Sequence, residues 1–237
     1  NTYVTTKISY ANMLADMCDR LPLADVDVVT RAMGNDTRIG GKYLKGAVAY
    51  GGPCFPRDNR AFGHLARQIG ANAALAEATD SINRHQNARL SGFVSGRAGS
   101  GTRVAVLGMS YKPGTAVTEE SPGVALARTL LGDGHPVTVY DPQALAGTRT
   151  QLGGSVAYAS SIDAAVEAAD VVIIATAWPE FAGICAAQLA RDGARLLVID
   201  CWRMLDRAAL GDVCDIVYLG NGALADEAAG ERRIAAQ

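Results

Sequence analysis

The sequence predicts two domains in series: a helical domain over residues 1–95 and an α/β domain with a parallel sheet over residues 103–237, separated by a linker at 96–102. In the first part, apolar residues recur at helical spacing. In the second, short continuous apolar runs alternate with helical patterns, which is typical of a parallel sheet covered by helices on both faces. The glycine-rich run GRAGSGT between them has no periodicity, so it is expected to be the linker.

Four helices are predicted in the helical domain, over residues 8–21, 25–34, 56–70 and 73–94. Pro22 closes the first helix, and Asp25 is the expected N-cap of the second. The third helix begins near Pro56, after a glycine-rich stretch without periodicity. Four of its apolar side chains recur at helical spacing and are expected to face the core: Phe62, Leu65, Ala66 and Ile69.

Five strands are predicted in the second domain, over residues 104–107, 137–140, 171–175, 196–199 and 216–219. The helix between the first two strands begins with Ser121 as N-cap and Pro122 at its first position, and it ends at Gly132. This alternation of strands and helices is the basis for expecting a sheet whose strands all run in the same direction.

The composition excludes several classes of protein. A net charge of −2 and a pI near 5.9 provide no excess of positive charge for nucleic acid or for an anionic membrane surface. No apolar run approaches the roughly 18 residues that a membrane-spanning helix needs. We therefore expect a globular protein with neither kind of partner.

The five cysteines are spread through the chain, at positions 18, 54, 185, 201 and 214. Their number is odd, and no two of them form a CxxC pair, which argues against a disulfide framework and against a zinc site. We expect a protein of the reducing cytoplasm that holds no metal ion.

The densest signal for chemistry is the segment GKYLKGAVAYGGPCFPRDNRAF, in which Cys54 follows Gly51 and Gly52 and stands just before a predicted helix. A helix N-terminus lowers the pKa of a thiol and stabilises an oxyanion formed on a carbon bonded to its sulfur. The glycines let the backbone approach a substrate, and Asp58, one turn later, is a candidate base or water-orienting group. A free cysteine by itself is more often buried and inert, and this alternative stays open.

Four of the 22 basic residues are lysines: Lys7, Lys42, Lys45 and Lys112. Because the chain otherwise uses arginine for positive charge, a lysine indicates a position whose geometry requires an ammonium group. Lys42, Lys45 and Lys112 are therefore candidates for contacting a ligand. The alternative for Lys42 and Lys45 is a solvated surface position. Lys7, on the first predicted helix, is interpreted as having no role in the site.

Four motifs resemble those of the UDP-glucose and GDP-mannose dehydrogenases, which oxidise the primary alcohol of a nucleotide sugar to a carboxylate with two NAD. The motif G-x-D-x-R-I-G occupies residues 34–40, and the nucleophile loop G-G-x-C-x-x-[KR]-D occupies residues 51–58. Beyond the linker, VAVLGMSYKPGT contains the family's lysine at Lys112, and DCWRMLD contains its arginine at Arg203. The order of these motifs matches the family over nearly the whole chain.

The resemblance implies a role for each matched residue. Cys54 would attack the aldehyde made in the first oxidation, giving a thiohemiacetal that becomes a thioester, and Asp58 would assist hydrolysis of the thioester. Lys112 and Arg203 would reach the nucleotide sugar from the second domain. The remaining residues of the implied sugar-nucleotide pocket are Arg38, Tyr43, Lys45, Tyr50, Gly51 and Gly52.

The resemblance also implies parts that this sequence does not contain. The family's catalytic lysine precedes an asparagine by one helical turn, and alignment places that asparagine at Asn1, so the lysine is expected upstream of the chain. The NAD-binding domain, with its G-x-G-x-x-G turn, is likewise expected upstream, so the chain is expected to be inactive alone. After Thr118 the family often has an arginine that reaches NAD, whereas this chain has Glu119.

The implied architecture is an all-helical central domain that mediates dimerisation, followed by a Rossmann-like domain that binds the UDP end of the substrate. The expected cofactor is NAD, and the expected assembly is a homodimer or a higher oligomer. The CFPRD loop favours UDP-glucose as the substrate. Two alternatives stay open: a sister dehydrogenase for GDP-mannose or a UDP-N-acetylhexosamine, and a non-catalytic module that binds nucleotide sugars and dimerises.

Overall fold

The helical domain contains four helices in the computed structural model, which describes residues 1–222. They are α1 (Thr2–Asp19), α2 (Val26–Gly34), α3 (Phe55–Gln68) and α4 (Ala74–Ala98). α2 begins as predicted, because the side chain of its N-cap Asp25 accepts a hydrogen bond from the amide of Asp27 at 2.8 Å. α4 packs against α1 and α3 and leads into the second domain.

The second domain is a parallel sheet covered by helices. Its strands are β1 (Val104–Leu107), β2 (Val137–Tyr140), β3 (Ala157–Tyr158), β4 (Val171–Ile174), β5 (Leu196–Asp200) and β6 (Cys214–Tyr218). Its helices are α5 (Pro122–Gly132), α6 (Leu145–Leu152), α7 (Ile162–Glu167), α8 (Ala186–Leu189) and α9 (Arg207–Leu210), with a 3-10 turn at Pro179–Gly183. The strand order β3-β2-β1-β4-β5-β6 is that of a doubly wound sheet, so the predicted fold class is confirmed.

Burial accounts for the continuous apolar strands. Every residue of β1 and β4 is buried, because apolar clusters cover both faces of the sheet. All five predicted strands are present. The additional strand, β3, has two residues at the sheet edge, and neither of them is buried, so it leaves no apolar run in the sequence.

The prediction for the buried face of α3 is wrong for three of its four residues. Phe62, Leu65 and Ile69 are more than half exposed, whereas Ala66 is buried as predicted. Asn59 and Gly63 share the buried face with Ala66, because small residues let α4 approach closely. A Cβ on Gly63 would lie 3.6 Å from the Ala76 side chain, and Asn59 Nδ2 donates to the Ala76 carbonyl at 2.9 Å.

Two helix boundaries also differ from the prediction. α1 begins at Thr2 instead of near Ile8, and the hydroxyl groups of Thr5 and Thr6 in its first turns donate back to the Thr2 carbonyl. α4 continues to Ala98, so the first residues of the predicted linker are helical. Residues 223–237 of the predicted second domain lie outside the described residues. Within residues 1–222, no helix has both the length and the apolar character required to cross a membrane.

A buried carboxylate in the helical domain is bound by groups of both domains. Asp19, at the end of α1, is 1% exposed and pairs with Arg89 of α4. The other oxygen of Asp19 accepts a hydrogen bond at 2.6 Å from the amide of Gly220, in the loop after β6. The Gly220 carbonyl accepts a hydrogen bond at 2.8 Å from the amide of Val26. These contacts hold the end of the sheet against α1 and α2.

Candidate functional site

A cavity of about 510 Å³ lies between the helical domain and the α/β domain. This volume falls within the range of pockets that bind small molecules. Most of the residues predicted for the site line it: Asn1, Tyr43, Lys45, Tyr50, Gly51, Gly52, Cys54 and Lys112. Three predicted residues do not: Arg38, Asp58 and Arg203.

Cys54 is the N-cap residue of α3; it is exposed and lines the cavity. Its carbonyl accepts a hydrogen bond from the amide of Asp58 at 2.8 Å. The amides of Phe55 and Arg57 therefore have no partner within the helix, and Pro56 has no amide hydrogen. A buried, inert thiol is excluded by this position, and the partial positive charge of the helix start acts close to the sulfur.

Asp58 lies one turn into α3 and is bound to a residue that lines the cavity. The side-chain amide of Asn1 donates to Asp58 Oδ2 at 2.5 Å, and Arg57 Nε donates to Oδ1 at 2.9 Å. The hydrogen bond from Asn1, and then the one from Arg57, lower the pKa of the Asp58 carboxyl. Asp58 is therefore ionised at neutral pH and forms a connected polar group with Asn1 and Arg57 beside Cys54.

Gly51 and Gly52 have a role that the sequence did not indicate, since they bring the two domains into contact. A Cβ on Gly51 would lie 2.1 Å from the carbonyl oxygen of Glu120. Gly52 has a φ of +84°, and a Cβ there would lie 2.6 Å from the ring of Tyr111. The Gly52 amide also donates to the Glu119 carbonyl at 3.2 Å. The expectation that these glycines admit a substrate is therefore incomplete, because the second domain occupies much of the space beside them.

Two lysines that line the cavity come from different domains. Lys112, in the loop after β1, is exposed, with its Nζ 5.5 Å from the centre of the Tyr111 ring. Lys45, in the helical domain, donates to Asp27 Oδ2 at 2.9 Å. The ammonium group has a protein partner, but the side chain is 43% exposed, so the solvated alternative for Lys45 stays open. Both charges are available to attract an anionic ligand.

Arg203 lies in a network of acidic and carbonyl groups at the domain junction. Its guanidinium pairs with Asp25 at 2.7 Å and with Asp27 at 3.1 Å. It also donates to the carbonyls of Leu219 and Gly220 at 3.0 and 3.2 Å. In this arrangement Arg203 connects β6 to the start of α2 and lies away from the cavity lining.

Arg38 also lies away from the cavity. Its side chain is 87% exposed and pairs with Asp36, and the hydrogen bonds from Arg38 lower the pKa of that carboxyl. Lys7 supports the same loop, because its Nζ donates to the carbonyls of Ile39 and Gly40, both at 3.0 Å. Lys7 therefore has a structural role in the 34–40 motif.

Aromatic residues that were not predicted as site residues form part of the cavity wall. Phe55 makes edge-on ring contacts with Tyr43 and Tyr50, each at 6.3 Å between ring centres. Tyr111 and Trp202 line the cavity from the second domain, and Trp202 Nε1 donates to a backbone carbonyl at 3.0 Å. Phe55, Tyr111 and Trp202 are each next in sequence to a predicted site residue, and this adjacency was the only sequence feature that pointed to them.

The turn after β1 does not fit a dinucleotide. In dinucleotide-binding domains the amides of this turn face the pyrophosphate. Here the amides of Met109 and Ser110 donate to Asp141 Oδ2 at 2.7 and 2.9 Å, and Trp178 Nε1 donates to the same oxygen at 3.0 Å. Asp141 is 2% exposed, so these two amides are already bound to a buried protein carboxylate and are not free to bind a phosphate.

Two family models match the chain. Residues 1–85 match the central domain of the UDP-glucose/GDP-mannose dehydrogenase family, and residues 105–207 match the UDP binding domain of that family. A UDP-glucose 6-dehydrogenase of Bacillus subtilis is 34% identical over 182 residues, covering 76% of this chain and 41% of the relative. A UDP-glucose 6-dehydrogenase of Pseudomonas aeruginosa is 36% identical over 190 residues, covering 76% and 42%.

Solved structures show the same arrangement of elements. A UDP-glucose dehydrogenase from Pyrobaculum islandicum aligns with a TM-score of 0.82 at 33% identity, covering 94% of this chain and 49% of that one. A UDP-D-ManNAc dehydrogenase from Pyrococcus horikoshii, at 22% identity and a TM-score of 0.76, shares the fold and covers 94% and 50%. The chain thus spans between about two fifths and one half of these relatives' lengths. Its two matched domains show that the chain belongs to the UDP-glucose/GDP-mannose dehydrogenase family.

Proposed function

We propose that this chain is the covalent-catalysis and nucleotide-sugar-binding part of an NAD-dependent UDP-glucose 6-dehydrogenase, which oxidises UDP-glucose to UDP-glucuronate. The observation that carries the proposal is Cys54, exposed at the start of α3 in a cavity to which both domains contribute. The choice of substrate is supported by relatives at 33–36% identity that bear this name.

The proposed role of Cys54 is to retain the aldehyde between the two oxidations. Its thiolate attacks the aldehyde carbon, a C–S bond forms, and the oxygen takes a proton to give a thiohemiacetal. The second oxidation makes a thioester, which water cleaves to the carboxylate and the free thiol. The start of α3 favours the oxyanion, because its unpartnered amides carry partial positive charge.

The proposed role of Asp58 is to orient the hydrolytic water through Asn1. The lowered pKa of Asp58 makes it a weak base, so it is better suited to hold a hydrogen-bond donor than to retain a proton. The bond from Asn1 to Asp58 fixes the side-chain amide of Asn1 at the cavity, beside Cys54. Asn1 thereby offers a polar contact to the reacting oxygen.

The proposed site for the nucleotide uses the aromatic wall and the two lysines. The rings of Tyr111 and Trp202, in the part of the chain that matches the family's UDP binding domain, offer flat surfaces to a uracil base, and Lys45 and Lys112 offer positive charge to the diphosphate. A diphosphate must compete with Asp27 for Lys45. Arg38 and Arg203 stay predictions as substrate contacts, because neither lines the cavity of this chain.

NAD is proposed to act as the hydride acceptor in both oxidations. Because Asp141 fills the turn after β1, we propose that NAD binds to a domain outside this chain. We also propose that the catalytic lysine of the family precedes Asn1 in the complete protein. The hydrogen bonds that hold Asp58, and the position of Cys54 at the start of α3, come from residues of this chain.

We also propose that the helical domain forms a homodimer. α1 exposes Tyr3, Tyr10 and Met17, which are seven residues apart and therefore share one face; α3 exposes Phe62, Leu65 and Ile69. Exposed apolar faces of this kind mark interaction surfaces. In sedimentation velocity, Leu65→Glu in the complete enzyme should convert dimers into monomers, whereas Leu23→Glu, in a fully exposed loop, should not. Unchanged sedimentation of Leu65→Glu contradicts a dimer formed through α3.

Calorimetric titration of the complete enzyme with UDP-glucose, UDP-N-acetylglucosamine and GDP-mannose tests the proposed function. Tightest binding of UDP-glucose, together with its turnover in the presence of NAD, supports it. A preference for one of the other sugars contradicts the proposed substrate and favours a sister dehydrogenase. Binding of UDP-glucose without turnover contradicts the enzymatic role and favours a non-catalytic module.

A further inference from the structure

Residues 47–50 form a buried segment without helix or strand structure, and it leads directly into Gly51–Cys54. Buried backbone amides and carbonyls require hydrogen-bond partners, and a segment outside a sheet must find them elsewhere. In this segment, two asparagine side chains from different helices bind two of the amides and two of the carbonyls.

Asn12 of α1 binds the beginning of the segment. The Asn12 side chain is fully buried; its Oδ1 accepts from the Ala47 amide at 2.9 Å, and its Nδ2 donates to the Val48 carbonyl at 3.0 Å. Asn83 of α4 binds the end. Its Oδ1 accepts from the Tyr50 amide at 2.7 Å, and its Nδ2 donates to the Tyr50 carbonyl at 3.0 Å. An asparagine amide has the donor and acceptor of a peptide unit, so each side chain pairs with the segment as a neighbouring strand would.

The two asparagines act on the part of the chain that carries the nucleophile. Tyr50 is four residues before Cys54, and its ring contacts the ring of Phe55, which directly follows Cys54. On the other side, Gly52 is bound to the Glu119 carbonyl of the second domain. The loop is therefore held from α1, α4 and the second domain at once.

We propose that Asn12 and Asn83 are positioning residues, which hold segment 47–50 and thereby set the position of Cys54 relative to the substrate. This inference rests on the proposed function, because it assigns the two residues to the reaction of Cys54. Misplacement of a reacting group by about 1 Å can lower a rate by about 10²-fold, so an indirect contact of this kind has a measurable effect on turnover.

Asn83→Leu tests the proposal, because Asn83 is half-buried and the substitution suits a helix. Asn87→Leu is the matched control: Asn87 lies one turn further along α4, and its Oδ1 has no hydrogen-bond partner among residues 1–222. In this chain, the Tyr50 amide should exchange its hydrogen at least about tenfold faster in Asn83→Leu than in Asn87→Leu. If Asn83→Leu does not fold, Asn83→Ala serves in its place.

In the complete enzyme, assayed well below the thermal midpoint of both variants, Asn83→Leu should lower kcat at saturating UDP-glucose by about 10- to 100-fold relative to Asn87→Leu. A residue that only stabilises the fold would lower the midpoint and leave kcat unchanged. Faster exchange at Tyr50 with an unchanged kcat therefore overturns the proposal, and so does unchanged exchange.

A failure of the proposed function can be told apart from a failure of this inference. If the wild-type complete protein does not oxidise UDP-glucose, the proposed function fails, and the alkylation rate of Cys54 by iodoacetamide becomes the readout. Exposed Cys185, in the second domain, is the internal reference. The ratio of the two rates should change at least about threefold in Asn83→Leu and stay constant in Asn87→Leu. A constant ratio in both variants overturns the inference.

Discussion

The contact between Gly51 and Glu120 predicts a large effect for a single methyl group. In Gly51→Ala, the new Cβ would lie 2.1 Å from the Glu120 carbonyl oxygen and 2.8 Å from Pro122 Cδ. A carbon–oxygen contact needs roughly 3.3 Å, so the two domains must separate by about 1 Å at this point. No side-chain rotation can relieve the clash, because the oxygen belongs to the backbone. Overpacking of this kind costs about 1–3 kcal/mol.

Differential scanning calorimetry measures this cost. For a chain of this length, about 1–3 kcal/mol corresponds to a fall in Tm of roughly 2–12 °C. The matched control is Gly92→Ala in α4, where a Cβ meets no atom within 4 Å. Because alanine favours a helix over glycine, the control should raise the free energy of unfolding by about 0.5–1 kcal/mol. A Tm and a UDP-glucose affinity of Gly51→Ala equal to those of the wild type would refute the close approach of the two domains.

Three further substitutions test the domain junction, the filled turn and the polar group beside Cys54. Arg89→Met leaves Asp19 buried without its partner and should cost about 3–5 kcal/mol in urea unfolding; a cost below about 1 kcal/mol contradicts a buried pair. Asp141→Asn weakens the acceptor of two buried amides and should cost about 1–3 kcal/mol in the same assay, whereas unchanged stability would show that the turn does not depend on this carboxylate. In an NMR titration, the pKa of Asp58 should lie below the ordinary range of an aspartate. Ionised Asp58 therefore stabilises the folded state above the pKa of the unfolded chain, and this contribution is lost as pH falls through the lowered pKa of the folded state. Arg57→Ala should raise this midpoint, and an unmoved midpoint contradicts the assigned hydrogen bond.

The sheet was predictable because the strands of a covered parallel sheet are apolar on both faces, and this leaves runs such as VAVL and VVII in the sequence. The buried face of α3 was not predictable from periodicity. There, Gly63 and Ala66 are buried because α4 approaches closely, whereas the larger Phe62 and Leu65 point to solvent in the single chain. Apolar spacing identifies a face of a helix, but it does not say which partner covers that face.

The candidate site was predictable where motif and local structure coincide, as at Cys54 before α3. The partners of Arg203 were not, because Asp25 and Asp27 lie far away in sequence and meet the arginine only through the packing of α2 against the loop after β6. The contact of Gly51 with Glu120 is likewise a tertiary contact, and it was not predictable because glycine has no side chain that could contribute to a sequence pattern.

The proposed mechanism requires a covalent intermediate on Cys54 in the oxidation of UDP-glucose. The most direct test is Cys54→Ser in the complete enzyme, with UDP-glucuronate formation and UDP-glucose affinity measured together. Formation of UDP-glucuronate should fall at least about 10³-fold, with an aldehyde-level adduct or product retained, while the affinity stays within about threefold of the wild type. UDP-glucuronate formation by Cys54→Ser at the wild-type rate would contradict a covalent role for Cys54.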